Sequence, residues 1–383
     1  MMKNIIYSFL FLCLVCSDAM AYSTGHTSFT WVDATRNNRN VPVEVYYPAN
    51  TAGDNVAISN GIFPVVAFGH GFVMGYDSYE NIWTALVNEG YIVAMVNTET
   101  SFAPSHLDFG KDLAFTIDQI ILEGANISSL LYNAVSTQAA VMGHSMGGGS
   151  SFLAISNSSN IDAIVTLAPA ETNPSAVAAA SSINIPSLII AGANDCVAPI
   201  ADHQQPMQDA LTSSCKTFAS ITGASHCQFA NYNLTCNFGE LTCGTPATIS
   251  ETEQHDATNN LIIPWLNFYL KNECAAGNVF QQNLGNNSTY SAQQNCSLLC
   301  TSMTNQENNV LEVFPNPANN QFYIKTANLS GRLIIRNAIG QEVNQQKLNS
   351  VNIIDCHLWQ PGVYFVFIQP NTGAPISKRI IIE

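Results

Sequence analysis

Continuous apolar runs alternate with longer amphipathic stretches through about the first 275 residues of the chain. The continuous runs are typical of strands buried on both faces, and the longer stretches are typical of helices packed on a sheet. After a predicted hairpin at 28–47, we expect strands at 62–68, 91–96, 139–142, 163–167, 186–191 and 217–221, and helices at 79–88, 111–122 and 258–270. This alternation predicts an α/β fold with a mostly parallel, doubly wound sheet.

The pattern changes near residue 278, where Asn, Gln and Ser become frequent and indicate a linker through residue 310. Short alternating runs then return and predict strands at 313–314, 321–325, 332–336, 363–368 and 378–382. We therefore expect one α/β domain at 22–277 and a small β-sandwich at 311–383.

The first residues have the composition of an export signal. Lys3 precedes an apolar stretch at 5–15, and Ala19 and Ala21 provide a small-residue cleavage site. The apolar stretch is too short to span a bilayer. We predict a signal peptide at 1–21 and a secreted protein, extracellular or at the cell surface, without a membrane span.

The chain is acidic and carries few charges. Its formal net charge is −15, and only 10% of its residues are Asp, Glu, Lys or Arg. Scarce Lys and Arg argue against nucleic acid and against anionic membrane surfaces as partners.

A motif that can carry chemistry follows the strand predicted at 139–142. It reads Gly143-His144-Ser145-Met146-Gly147 and precedes a stretch of small residues with helical character. A G-x-S-x-G motif between a buried strand and a helix is a nucleophile elbow, whose sharp turn holds the serine in a strained conformation. Ser145 is therefore the candidate nucleophile.

Two candidate partners follow Ser145 in the expected chain order of acid and then histidine. Asp195 and His226 each come after a predicted parallel strand, at the sheet edge where such folds place active sites. His226 is expected to accept the proton of Ser145, and Asp195 to hold the imidazole. Each residue has an alternative role, Asp195 as a turn former and His226 as an ordinary loop histidine. Their joint placement behind the elbow favours a catalytic triad.

The elbow also locates candidate oxyanion donors. One is the backbone amide of Met146, and the other is the amide of Phe72 in the loop Gly69-His70-Gly71-Phe72. His70 and His144 are interpreted as structural neighbours of the site. No metal or organic cofactor is implied.

Eleven cysteines are present, eight of them between Cys196 and Cys300. An even set in an exported domain predicts disulfides, although their pairing is left open by the sequence. Cys196 follows the candidate acid and Cys227 follows the candidate base, so a bond between these two is a hypothesis.

Residues 22–275 resemble the α/β-hydrolase family of cutinases and bacterial polyester hydrolases. The resemblance is carried by the elbow and by the segments 69–72, 194–199 and 223–226. It implies a fold without a helical lid, a triad of Ser145, Asp195 and His226, and oxyanion amides at Phe72 and Met146. It also implies that the Phe72 ring packs against the acyl group. One departure is clear: the family's aromatic-polymer hydrolases carry a tryptophan where this chain reads 170–174 without one, so one wall of the aromatic clamp is missing or built differently.

The tail resembles the C-terminal sorting domain of type IX secretion cargo. The resemblance is carried by Pro315-Asn316-Pro317, Gly362-Val363-Tyr364 and the terminal strand with Lys378 and Arg379. A generic β-sandwich appendage or a carbohydrate-binding module is the alternative.

Together these observations predict a secreted serine carboxylic-ester hydrolase that works through an acyl-enzyme on polyesters or on bulky or short-chain esters. A lipase or small-ester carboxylesterase, a secreted peptidase and a non-enzymatic adhesion protein are the alternatives. The expected partners are the ester substrate and, through the tail, the secretion machinery, and the protein is expected to be a monomer.

Overall fold

A computed structural model describes residues 21–299, 311–326, 331–338, 340–349, 351–370 and 376–383. These residues fall into two compact units, with the division between Cys300 and Thr301. The predicted signal peptide lies outside the described residues except for Ala21, and so does the part of the predicted linker from 300 to 310.

The first unit is built on a ten-stranded sheet. Its strands are β1 (Ser23–Asp33), β2 (Arg39–Ala49), β3 (Gly53–Asp54), β4 (Phe63–Gly69), β5 (Ile92–Val96), β6 (Val135–His144), β7 (Ala163–Leu167), β8 (Ser187–Gly192), β9 (Lys216–Ile221) and β10 (Tyr290–Gln294). Its helices are α1 (Glu80–Asn88), α2 (His106–Ala125), α3 (Met146–Ala154), α4 (Ala176–Ala180), α5 (Gln204–Ala210), α6 (Leu234–Leu241), α7 (Glu251–Leu270) and α8 (Cys274–Leu284).

The strand order is β10-β9-β8-β7-β6-β4-β5-β2-β1-β3. The six strands from β9 to β5 are mutually parallel, while β2 and β10 run antiparallel to their neighbours. The predicted hairpin is confirmed as β1 and β2, which pair from Ser23↔Ala49 to Asp33↔Arg39. The six central strands are those that the apolar runs predicted.

Each face of the sheet is covered by helices, as the continuous apolar runs require. Val66 and Phe68 of β4 face a core formed with α1, α7 and α8. Their neighbours Val65 and Ala67 face the opposite core, formed with α2, α3 and α5. Because both faces are buried, the strands need apolar residues at every position. Within the described ranges, no helix has both the length and the apolar character to cross a bilayer.

Two helices begin earlier than predicted because side chains cap them. The Ser105 hydroxyl accepts a hydrogen bond from the Asp108 amide at 3.2 Å, so α2 begins at His106. Ser250 and Glu253 form a reciprocal capping box that starts α7. The first turn of α7 is polar, and that of α2 mixes polar residues with Leu107 and Phe109, so the apolar pattern marks neither start.

The predicted start of the linker at 278 is wrong. Residues 274–284 form α8, and β10 pairs antiparallel with β9 from Tyr290↔Ile221 to Gln294↔Thr217. A few apolar side chains anchor the segment, since Phe280, Leu284 and Tyr290 are buried while its Asn, Gln and Ser residues are mostly exposed. The first domain therefore extends beyond the predicted boundary at 277.

The second unit contains two antiparallel sheets. One has the order β11-β12-β15 and the other β14-β13-β16-β17. Their strands are β11 (Glu312–Phe314), β12 (Gln321–Lys325), β13 (Gly331–Asn337), β14 (Glu342–Lys347), β15 (Val351–Asp355), β16 (Gly362–Pro370) and β17 (Ile376–Ile382). Side chains from both sheets, including Phe322, Ile354, Leu333 and Val366, share one core. This is the predicted β-sandwich, with β14 and β15 as additional strands.

Candidate active site

Neighbouring strands bring the predicted site residues to one edge of the sheet. Ser145 follows β6, Asp195 follows β8 and His226 follows β9, each at the carboxyl end of a parallel strand. The loop that carries Phe72 follows β4, which pairs with β6. Residues far apart in the chain therefore meet at the edge where ligand sites form in open α/β sheets.

Ser145 lies in the sharp turn between β6 and α3. Its backbone has φ 55° and ψ −119°, a conformation that residues other than glycine rarely adopt. Three backbone hydrogen bonds hold it: the Ser145 amide donates to Leu167 O at 3.0 Å, and its carbonyl accepts from the Ala170 amide at 2.9 Å and from the Gly149 amide at 3.0 Å. Hydrogen bonds to β7 and to the loop after it therefore hold the strained turn in place.

Gly147 allows the elbow to contact the loop after β4. A Cβ built on Gly147 would overlap the Gly69 carbonyl and lie 2.6 Å from His70 O. We expect Gly147→Ala to push that loop away from Ser145 and lower kcat/KM for a soluble ester by at least ~100-fold, because a misplacement of about 1 Å at a reacting centre can cost about that much. Steady-state kinetics of the purified variant measure the loss of kcat/KM, and its Tm measures how much the displaced loop destabilises the fold.

Gly239→Ala is the matched control for this substitution. Among the described residues no atom lies within 4 Å of a Cβ built on Gly239, which is in α6. Alanine favours the helix over glycine by roughly 0.5–1 kcal/mol, so the Tm should be unchanged or slightly raised. Unaltered kinetics in Gly147→Ala would contradict the close packing of elbow and loop.

The three predicted triad side chains form a continuous hydrogen-bonded chain. His226 Nε2 lies 2.8 Å from Ser145 Oγ, and His226 Nδ1 lies 2.8 Å from Asp195 Oδ2. All three residues are buried. The distances are those at which an imidazole can exchange a proton with a hydroxyl while a carboxylate orients it.

Asp195 also performs the turn role that the sequence offered as its alternative. Its Oδ1 accepts hydrogen bonds from the amides of Val197 at 3.0 Å and Ala198 at 2.8 Å. Its Oδ2 faces His226 and also accepts from Gln204 Nε2 at 3.2 Å. The two roles use different oxygens, so they do not exclude one another. Gln204 was not predicted, since no local motif distinguishes it.

The backbone on either side of His226 is held by side chains from two helices. Gln254 of α7 accepts from the Ser225 amide at 3.0 Å and donates to Ser225 O at 2.8 Å. Glu240 of α6 accepts from the Cys227 amide at 2.8 Å. The imidazole is thus oriented by its own loop as well as by Asp195.

The hypothesis of a Cys196–Cys227 disulfide is wrong. Cys196 is bonded to Cys243, and Cys227 to Cys236. Both partners lie in or just after α6, which was not predicted as a helix. The acid loop and the base loop are therefore each tied to α6. A third bond joins Cys215 to Cys296.

Of the two candidate oxyanion donors, one lies at the start of α3 and the other in the loop after β4. Met146 is the first residue of α3, where a backbone N–H has no acceptor within the helix. Phe72 lies in the loop after β4, directly beyond Gly71. His70 is buried in that loop, with Nδ1 2.8 Å from Gly71 O and Nε2 2.7 Å from Thr98 O, and its burial lowers its pKa.

Several apolar side chains near these loops are exposed. Phe72 is 46% and Phe102 is 82% exposed, and their ring centroids lie 6.3 Å apart. On α6, Leu234, Phe238 and Leu241 are exposed at helical spacing, forming what we call the α6 stripe. Glu240 is the one acidic or basic residue of α6, and its carboxylate accepts a hydrogen bond from the Cys227 amide. The stripe itself contains no charged side chain.

Both units of the chain match families of known proteins. Residues 21–242 match the sequence model of the family described as PET hydrolase-like. The chain belongs to the PET hydrolase-like family. Its fold is the α/β-hydrolase fold that the sequence predicted. Residues 312–383 match the model described as a secretion system C-terminal sorting domain, in agreement with the resemblance of the tail.

Three curated relatives illustrate the similarity. The chain is 27% identical over 183 residues to a bis(hydroxyethyl) terephthalate hydrolase of Streptomyces coelicolor, to cutinase 2 of Thermobifida cellulosilytica and to cutinase cut1 of Thermobifida fusca. Each match covers 48% of this chain, and 54%, 64% and 52% of the respective relative. The chain thus spans between half and two thirds of the length of these relatives.

Proposed function

We propose that the protein is a serine carboxylic-ester hydrolase that works through an acyl-enzyme. The observation that carries the proposal is the buried chain Ser145–His226–Asp195, with both of its hydrogen bonds at 2.8 Å. The strained elbow and the PET hydrolase-like family support it. In this proposal Ser145 is the nucleophile, His226 the general base and acid, and Asp195 the residue that orients the imidazole.

The proposed reaction has two halves. Ser145 Oγ attacks the ester carbonyl while His226 Nε2 takes its proton, and the same proton then passes to the departing alcohol. In the second half His226 takes a proton from a water molecule that attacks the acyl-enzyme, and it passes this proton to Ser145 Oγ as the acid is released. The imidazolium formed in each half lies against the Asp195 carboxylate, which stabilises its charge.

The negative charge of the tetrahedral intermediate requires donors that are already in place. We propose the amides of Met146 and Phe72 for this role, because Met146 begins α3 and Phe72 lies in the loop packed against the elbow. Removing a single oxyanion donor typically costs ~100- to 1000-fold in rate. No step of the proposed reaction requires a cofactor.

For the substrate we propose bulky or polymeric esters with apolar or aromatic acyl groups. The exposed rings of Phe72 and Phe102 support this proposal, as do relatives named cutinase and bis(hydroxyethyl) terephthalate hydrolase. The chain has no tryptophan at 170–174, where Glu171 instead accepts from the Val177 amide at 3.1 Å. Phe102 is our candidate for the second aromatic wall.

The function is tested by parallel assays on a p-nitrophenyl short-chain ester, an emulsified triglyceride and an amorphous polyester film. We expect turnover of the soluble ester and release of soluble acid from the film. Turnover of the soluble ester without film products would identify the alternative small-ester carboxylesterase, and a sharp rate increase at the emulsion threshold would identify a lipase. Absence of turnover on all three substrates would contradict ester hydrolysis.

The α6 stripe provides a prediction specific to polymeric substrates. We expect Phe238→Ser to lower product release from film several-fold while leaving kcat/KM for the soluble ester unchanged, because a flat apolar substrate contacts exposed apolar area that a small ester does not reach. Replacing a buried contact of this size by a polar one is worth about 1–2 kcal/mol. Ile127→Ser, which alters another exposed apolar side chain beyond the end of α2, is the control. Equal losses in both variants would contradict a role for the stripe.

We further propose that the protein is secreted, with residues 1–21 as the signal peptide and the β-sandwich as a type IX sorting domain. The match of residues 312–383 to a sorting-domain model supports this assignment. The sorting domain takes no part in the proposed chemistry, and the catalytic unit is proposed to act as a monomer.

A further inference from the structure

Beside the triad lies a second buried hydrogen-bonded chain, formed by Tyr79 and His144. The Gly71 amide donates to Tyr79 Oη at 2.7 Å, and Tyr79 Oη lies 2.9 Å from His144 Nδ1. His144 Nε2 in turn lies 3.0 Å from the backbone carbonyl of His226. Tyr79 and His144 are both completely buried. We call this chain of contacts the Tyr79–His144 relay.

The direction of each hydrogen bond in the relay follows from its partners. The His226 carbonyl can only accept, so His144 Nε2 carries the proton and Nδ1 is the acceptor. Burial first, and then the nearby His226 imidazole, hold the pKa of His144 well below its ordinary value, so the ring is neutral with a single N–H. Tyr79 therefore donates its O–H to His144 Nδ1 and accepts from the Gly71 amide. Met74 Sδ, at 3.3 Å from Tyr79 Oη, is the weaker competing acceptor.

The relay connects the three segments on which the proposed reaction depends. Gly71 directly precedes Phe72, a proposed oxyanion donor, and His144 directly precedes Ser145. His226 is the proposed base itself. A Cβ built on Gly71 would lie 3.1 Å from Tyr79 Oη and 3.3 Å from His144 Nδ1, so glycine permits the close approach of the loop.

We infer that Tyr79 and His144 are positioning residues that hold the oxyanion loop, the elbow and the His226 backbone in one fixed arrangement. The inference rests on the proposed function, since it assigns these residues a task in the same reaction. Neither side chain touches the reacting atoms. Their effect is exerted through the Phe72 amide and through the position of the His226 imidazole.

Removal of the Tyr79 hydroxyl leaves two buried polar groups without their partner, the Gly71 N–H and His144 Nδ1. Unpaired buried groups are strongly disfavoured, so the loop and the ring are expected to shift until water or another group satisfies them. We expect Tyr79→Phe to lower kcat for a soluble ester by roughly 10- to 100-fold, because a misplacement of about 1 Å at a reacting centre can cost about 100-fold. The KM is expected to stay within a small factor of the wild-type value, since no substrate contact is removed.

The measurement must separate positioning from simple destabilisation. The kcat is therefore expressed per active site titrated with a fluorophosphonate, and the inhibition constant of a boronic acid is measured alongside it. Boronic acids form a tetrahedral adduct with a catalytic serine and occupy the oxyanion position, so their affinity should fall in parallel with kcat/KM. A residue with only a structural role would lower the Tm without moving either quantity.

Tyr91→Phe is the matched control for this variant. Tyr91 is also fully buried, and its hydroxyl donates one hydrogen bond, to Asn267 Oδ1 at 2.7 Å. It lies just before β5, at the sheet edge opposite the proposed site. We expect a lower Tm in this variant with wild-type kcat and wild-type boronic acid affinity.

Two substitutions at His144 test the other end of the relay. In His144→Gln the amide oxygen can accept from Tyr79 and the amide nitrogen can donate to His226 O, so most of the activity should be retained. His144→Leu removes both bonds and should lose at least as much activity as Tyr79→Phe. Similar activities in the two His144 variants would overturn the inference.

The outcomes at Tyr79 are equally definite. Wild-type kcat and boronic acid affinity in Tyr79→Phe, or the same loss in Tyr91→Phe, would overturn the relay while leaving the proposed function intact, provided that Ser145 is still essential. Turnover that survives Ser145→Ala would instead refute the proposed function, whatever the Tyr79 variants show.

Discussion

Replacing Ser145 by alanine is expected to lower kcat for a p-nitrophenyl ester by roughly 10⁶-fold. In a serine hydrolase the loss of the nucleophile removes acyl-enzyme chemistry entirely, and only the weak catalysis from the remaining oxyanion donors and binding contacts persists. The hydroxyl contributes little to the fold here, because its hydrogen-bond partner is the His226 imidazole. Steady-state kinetics and fluorophosphonate labelling of the purified variant measure the loss.

Ser150→Ala is the matched control for Ser145→Ala. Ser150 is buried in α3, five residues beyond the candidate nucleophile, and its hydroxyl has no hydrogen-bond partner among the described residues. Loss of this hydroxyl should leave both turnover and labelling at wild-type levels. Residual turnover in Ser145→Ala above about one thousandth of wild type would show that Ser145 is not the nucleophile.

The site was largely predictable because its geometry follows from strand order. Ser145, Asp195 and His226 each stand just after an apolar run, and parallel strands bring such positions to one edge of the sheet. The glycines of the elbow are dictated by backbone contact, as the overlap of a Gly147 Cβ with the Gly69 carbonyl shows. Sequence position and residue type were sufficient for these features.

The supporting contacts were not predictable in the same way. Gln204 reaches Asp195 from nine residues away, and Tyr79 reaches His144 across 65 positions. Each pairing depends on where a loop or helix lies in three dimensions, and no local pattern marks it. The correct partners of Cys196 and Cys227 were missed for a similar reason. Cys243, just after α6, reaches the acid loop and Cys236, within α6, reaches the base loop, while the exposed apolar residues of α6 do not follow the pattern of a buried helix.

Strand prediction failed where burial and polarity do not coincide. In β15, Asn352 is buried while Val351 and Ile353 are exposed, the reverse of the usual alternation. Asn352 is accommodated because its amide donates to Asn349 O at 2.8 Å and its Oδ1 accepts from the Asn349 amide at 3.0 Å. In β10, polar residues pair with the edge of a sheet whose central strands are apolar. These strands are defined by backbone pairing and by a few buried side chains, and not by an alternation of apolar and polar residues.

The two oxygens of Asp195 determine what an amide at this position would do. Oδ1 is held by the Val197 and Ala198 amides, which can only donate. In Asp195→Asn the amide oxygen must therefore stay at that position, and the NH₂ group takes the place of Oδ2 opposite His226 Nδ1. The NH₂ group can only donate, so Nδ1 becomes an acceptor and the ring proton moves to Nε2. The nitrogen that faces Ser145 then has no lone pair with which to accept the serine proton.

We therefore expect Asp195→Asn to lower kcat by about 10⁴-fold at neutral pH with the fold intact, the magnitude associated with the wrong histidine tautomer in a serine triad. Steady-state kinetics measure the loss, and a ¹⁵N spectrum of the His226 ring reports the tautomer directly. Asp202→Asn, an exposed position seven residues further on, removes the same charge without facing the imidazole and should be neutral. If Asp195→Asn retained activity, Asp195 would be a turn former alone, and the orientation of His226 would have to come from Gln254 and Glu240 through the backbone of its loop.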